Sequence, residues 1–447
     1  MTAPALRGRI ASLTLFAALI ACDRSSPDGP TDALSEQPAA QPPGAAAIEI
    51  DADDIAGLVQ SSNGVESGVW VIAETDDFDT RFSRIVVTDD AGSYLLPDLP
   101  LADYAVWVRG YGLADSDKIQ ANPGTIVNLE AVVAPDAATA AKVYPAAYWY
   151  AMMEVPDPSE IEHLPGGLNE YLAWIKNLGC ASCHQLGNLA TRSFHPELGE
   201  FESSYDAWAR RTQSGQAANI MIRQAIGQLG GVPYKYLGEW TDRVAGGALP
   251  AAQPQRPRGL ERNIVATVRD WSKPTGYMHD LSGTDRRNPT VNAYGPLYGA
   301  PELSTDEFPI LDPINNVATY FNAPVRDEDT PSARDIQITQ PSPYWGDERI
   351  WDSRANAHNP MLDHQGRVWY TVAIRTSDNP AFCREGSDHP SAKLFPTGMR
   401  AGSWRCTISA AATTILSIPA SAPIIYSLPR TTITRCGPAV AVTWSVG

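Results

Sequence analysis

The stretch Cys180-Ala181-Ser182-Cys183-His184 constrains this chain more than any other. Cysteines at i and i+3 lie about one helical turn apart, so both thiols reach the two vinyl groups of one haem, and the adjacent histidine meets the iron. Thioethers hold the porphyrin without a large apolar pocket, while neutral imidazole supplies a strong axial nitrogen. Gly179, directly before the first cysteine, leaves room for backbone beside the ring plane. A zinc pair or a redox dithiol is the alternative for such a spacing. Zinc requires two more ligands, and the chain has no second C-x-x-C and no H-x-x-x-H. The expected cofactor is therefore one covalent haem c.

The 447 residues suffice for two or three domains. A formal charge of -17 argues against nucleic acid as a partner, because phosphate binding needs clustered Lys and Arg; it suits docking to a basic redox protein. Thirty-seven Pro and 34 Gly favour turn-rich β structure over a helical bundle. Residues 1–21 read as an export signal: Arg7 and Arg9 precede the apolar run Leu13 to Ile20, which is short for a membrane span. Its end, Leu19-Ile20-Ala21-Cys22, resembles a bacterial lipobox, which implies lipidation at Cys22, a membrane anchor and a place in the cell envelope. Residues 22–47, rich in Pro, Ala, Ser and Asp, read as a disordered tether.

Between 48 and 135, short alternating runs are separated by Asn63-Gly64, Asp90-Ala91-Gly92 and Pro97-Asp98-Leu99-Pro100. They predict an all-β sandwich. The segments IAGLVQSSNGVESGVWVIAET, VVTDDAGSYLLPDLP and YAVWVRGYG resemble the carboxypeptidase regulatory-like domain, which shares its fold with starch-binding modules. That resemblance implies carbohydrate as a partner, with Trp70, Trp107, Tyr94 and Tyr111 either a stacking platform or core.

Residues 136–250 are expected to form a small α-helical domain resembling cytochrome c. Leu168, Leu172, Ile175 and Leu178 make a helical stripe leading into the cysteines, and Tyr205 to Thr212, Ala217 to Leu229 and Tyr234 to Ala245 follow with helical spacing. Met221 is the expected sixth iron ligand, with His195 as the alternative; Met152, Met153 and Met278 lie farther off.

Residues 251–399 contain MLDHQGRVWYT, which resembles a blade of a virginiamycin B lyase-like β-propeller, an Asp-x-x-Gly turn delivering a Val-Trp strand. His358, His364 and His389 are either a metal or active site or solvated turn residues. From about residue 400 acidic residues vanish, and a one-base displacement allows text with propeller-like Asp turns. A reading-frame slip is expected there, leaving the propeller truncated and Cys406 and Cys436 without meaning.

The whole resembles exported bacterial multidomain proteins that join these three parts. The resemblance implies an envelope electron carrier exchanging with a redox protein or small donor or acceptor. A carbohydrate- or partner-binding protein and a propeller lyase or hydrolase are the competing readings.

Overall fold

The computed structural model describes residues 49–323, 325, 327–373, 378–396, 414–419 and 440–441. The signal segment, Cys22, the tether, Cys406 and Cys436 lie outside the described residues.

Alternating side chains place eleven strands between Ile55 and Val133: β1 (Ile55–Ser61), β2 (Gly64–Val65), β3 (Trp70–Thr75), β4 (Arg81–Val87), β5 (Ser93–Leu96), β6 (Tyr104–Arg109), β7 (Leu113–Ala114), β8 (Ile119–Ala121), β9 (Thr125–Ile126), β10 (Leu129–Glu130) and β11 (Val132–Val133). Strand β1 pairs with β2 and β5 antiparallel and with β9 and β10 parallel, while β4, β3, β6 and β8 lie side by side in a second sheet. Inward residues of both, among them Ile55, Val59, Val71, Phe82, Leu96, Tyr104 and Val108, share one buried core. The Tyr104 hydroxyl donates to the Pro100 carbonyl at 2.7 Å, so this buried ring leaves no polar atom unpaired.

Eight short helices follow: α1 (Ala137–Ala141), α2 (Ala146–Tyr150), α3 (Gly167–Ala173), α4 (Cys180–Cys183), α5 (Leu189–Arg192), α6 (Ser204–Arg211), α7 (Ala218–Ile222) and α8 (Val232–Ala245). They do not build the expected cytochrome c-like helical domain. The helices are cut short where Trp174–Leu178 and Arg223–Gln228 widen into π turns, and where Gly230 and Gly231 take left-handed φ of 59° and 82°. The longest, α8, packs on α6 because Gly238 has no Cβ: one built there would stand 3.1 Å from the Tyr205 nitrogen.

The C-terminal part also departs from expectation. Strand β12 (Ala266–Asp270) runs back to pair with β4, from Ala266 opposite Ile85 to Asp270 opposite Arg81, and so covers an edge of the first region. Next, β13 (Asp280–Ser282), β14 (Leu297–Ala300), β15 (Glu307–Asp312) and β16 (Val317–Asn322) form an antiparallel meander. A second sheet joins β17 (His358–Leu362), β18 (Arg367–Val372), β19 (Thr414–Pro419) and β20 (Val440–Ala441). The two share one core through Phe308, Phe321, Ala357, Val368 and Tyr370. No closed barrel and no propeller is formed among the described residues. The fold is thus several small sheets with few helices of any length, and the expected sandwich–cytochrome–propeller fold class is overturned.

The Asp363 turn shows how one of these hairpins is held. Its carboxylate accepts from the Gln365 and Arg367 nitrogens at 2.9 and 3.0 Å, from Arg367 Nε at 2.6 Å and from Trp369 Nε1 at 2.9 Å. Burial pushes this carboxyl up, and those donors outweigh it, holding it at about 2 against an ordinary 3.8. A depressed carboxyl stabilises the fold above its unfolded pKa and loses that contribution as pH falls through the folded one. Asp363→Ala is therefore expected to cost about 2 kcal/mol at neutral pH, shrinking as pH falls from about 4 towards about 2. Urea unfolding of both proteins across that range checks it, and a difference that stays constant with pH refutes the charge-based account.

Candidate cofactor site

The last turn before the cysteines is wider than an α-helix. The Gly179 nitrogen donates to the Trp174 carbonyl five residues back, at 2.9 Å. That widening rotates Leu178 off the stripe: it is 57 % exposed, whereas Ile175 is 1 % exposed. Gly179 then breaks the helix, and a Cβ there would stand 2.6 Å from the Trp174 carbonyl oxygen and 3.3 Å from Gln224 Oε1. The cysteines occupy the single turn α4, closed by the Ser182 hydroxyl donating to the Gly179 carbonyl at 2.7 Å and by the His184 nitrogen donating to the Cys180 carbonyl at 3.0 Å.

Both thiols are free. Cys180 packs against the core of Ile161, Leu164, Tyr171, Ile175 and Leu229, and this burial pushes its thiol pKa up. Cys183 is exposed, and the Tyr277 hydroxyl feels its charge. Burial first, and the Cys183 neighbour second, push the Tyr277 hydroxyl up to about 12.

His184 keeps an accessible face. Its imidazole is nevertheless held below the usual histidine range, first by the protein crowding it and then by the Arg211 charge. Arg211 is fixed by the Thr191 and Ser193 carbonyls, both at 3.1 Å, and lies 4.7 Å over the Trp208 ring. A neutral imidazole beside two free thiols is a donor set that fits haem c.

Of the expected sixth ligands, Met221 is half-buried at the end of α7, one turn before Gln224, whose amide comes up against Gly179. His195 points its Nδ1 at the Glu197 nitrogen, accepting at 3.2 Å, and its ring lies 4.6 Å from that of Tyr344. Met278 packs on Gly299, and Met152 and Met153 line the helical core.

The other candidates separate. Tyr94 is 3 %, Trp107 8 % and Tyr111 9 % exposed, with Trp70 packed edge-on to Tyr111 at 4.9 Å, so these four rings make no shared exposed platform. His364 lies by Asp285, and His389 caps the helix Pro390–Leu394, while His358 stands instead with His279 and Asp280. Tyr277, Arg211 and His279 carry no sequence signal: they reach the motif region from distant positions, and only the folded chain brings them together. No helix among the described residues is long and apolar enough to cross a membrane. A scan against protein-family models finds none that matches the chain, and a search of curated proteins finds no match either.

Proposed function

We propose that this protein carries electrons through one covalent haem c, with Cys180 and Cys183 as its anchors and His184 as its axial ligand. The observation that carries the reading is the pair of free thiols one turn apart with an imidazole held neutral beside them. Cys180 and Cys183 would hold the porphyrin as thioethers, and His184 would supply a nitrogen ligand to its iron. Bound there, the haem supplies a reversible one-electron iron couple. The chain's own part is to hold and to shield. Gly179 permits the close backbone path, and burial first, with the pinned Arg211 charge second, disfavours protonation of His184.

Electron exchange needs no general base, so we read the chain as a carrier rather than a catalyst in its own right. Its charge of -17 suits a basic redox partner, and Cys22 would anchor it by lipid in the cell envelope. Met221 is the proposed sixth ligand and His195 the alternative. Reduced and oxidised spectra with potentiometry of Met221→Ala and His195→Ala decide between them. Met221→Ala is expected to remove the thioether-to-iron charge-transfer band and lower the midpoint potential, with His195→Ala silent. The opposite pattern assigns His195, and no change in either variant removes both.

A further inference from the structure

Four side chains from three separate parts of the C-terminal region converge beside Tyr277. The His279 Nδ1 lies 3.0 Å and the His358 Nδ1 3.4 Å from the same Asp280 oxygen, Oδ2, and the two imidazole rings are 4.9 Å apart. Behind them, Glu302 stands 3.2 Å from the His358 Nε2 and 3.9 Å from the His279 Nε2. We infer that His279, His358 and Asp280 form a site for one divalent first-row transition-metal ion, with Glu302 holding the histidines from behind.

Hydrogen bonding alone does not account for this arrangement. Asp280 Oδ2 already accepts from the Asn359 nitrogen at 3.0 Å. With that N–H, the two imidazole nitrogens bring to three the approaches to an oxygen with two lone pairs. A cation among the three side-chain donors resolves the conflict, since it takes lone pairs from all of them and needs no proton there. Glu302 fits the same assignment: by accepting at Nε2 it fixes the tautomer that leaves Nδ1 bare, the usual carboxylate support behind a metal-bound histidine. Two imidazoles and one carboxylate are the donor set of open mononuclear sites for zinc or iron, with positions left for water or substrate.

The backbone gives independent support. Glu302 and Asn359 are not glycines, yet they adopt left-handed φ of 39° and 49°. The β17–β18 register also shifts between His358 and Met361, a bulge that turns His358 towards Asp280. Left-handed backbone at residues other than glycine collects at ligand-holding sites. The site neighbours the cysteine turn: the Tyr277 hydroxyl feels the Cys183 charge, and its ring centroid is 5.9 Å from that of His279.

The inference does not rest on the haem reading, and its test is built to keep the two apart. The full chain carrying Cys180→Ser and Cys183→Ser is stripped with chelator and titrated with Zn2+ by calorimetry and with Co2+ by visible absorption. One equivalent of each is expected to bind, with the d–d absorption of a nitrogen- and oxygen-ligated cobalt ion and no thiolate charge transfer. His279→Ala and His358→Ala in that background are expected to abolish stoichiometric binding. Glu302→Gln, which keeps volume and fold, is expected to weaken it about 10–100-fold. Failure of the Cys180→Ser, Cys183→Ser chain to bind one equivalent overturns the site, as does binding that ignores all three substitutions. A chain that takes up no haem leaves this result unaffected.

Discussion

Trp240→Ala is expected to destabilise the protein by about 3–5 kcal/mol. Trp240 is 0 % exposed at the centre of α8, and it packs with Trp208, Tyr234, Leu237 and Ala225. Its Nε1 donates to the Trp149 carbonyl at 2.9 Å, and its ring meets Tyr150 edge-on at 6.3 Å. Truncation would leave a cavity the size of an indole and an orphaned carbonyl in the same place. The effect should also reach the cofactor turn, because Tyr150 packs in the cluster that holds Cys180, and its hydroxyl donates to the Ile175 carbonyl at 3.4 Å. Trp240→Phe keeps most of the buried area and should cost far less. Guanidinium unfolding measures both, and a loss below about 1 kcal/mol for the alanine variant would mean that the helices are not packed as described.

Arg256→Ala is expected to be comparably damaging, about 3 kcal/mol or more, for an electrostatic reason. Glu66 has only 6 % of its side chain exposed, and the Arg256 Nη1 lies 2.5 Å from its Oε2. The same guanidinium donates through Nε to the Tyr111 carbonyl at 2.9 Å and through Nη1 to the Ser67 carbonyl at 3.2 Å. Removing it strands a buried carboxylate and two carbonyls at once. It also frees the segment that returns the chain to β12. The double variant Glu66→Gln, Arg256→Met should recover much of the loss, since no uncompensated charge then remains. A single variant as stable as the parent would show that water reaches Glu66.

These two side chains mark where the sequence was readable and where it was not. The run around Trp240 has helical spacing, and Gly230-Gly231 and Pro233 punctuate it, so α8 could be read locally. Alternation likewise located β1, β3, β5 and β6, because one face of each is buried. The pairing of β12 with β4 left no such mark. Its side chains are mostly exposed, and edge strands are recruited by backbone hydrogen bonds that side-chain pattern does not encode. The π turns at Trp174–Leu178 and Arg223–Gln228 were also invisible, since a shift from i→i+4 to i→i+5 bonding requires no particular residue.

The propeller expectation failed for a related reason. The Asp363 turn and its Val368-Trp369 strand are present as a hairpin, but one hairpin says nothing about how many sheets follow or whether they close. The cytochrome-like expectation took a local signature as evidence for a whole domain. Cys180, Cys183 and His184 are neighbours in sequence and so could be recognised there. The His279, Asp280, Glu302 and His358 group is scattered over some eighty residues, and its histidines share no ligand spacing. Only folding assembles it.

The most direct test of the account is whether the thiols of Cys180 and Cys183 carry haem. The full chain, expressed with a haem-attachment system, should give a haem-staining band on a denaturing gel and a c-type pyridine haemochrome at one haem per chain. Cys180→Ala, Cys183→Ala should lose both signals while the folded protein persists. A wild-type chain that folds under those conditions with both thiols free and no covalent haem would contradict the proposed function.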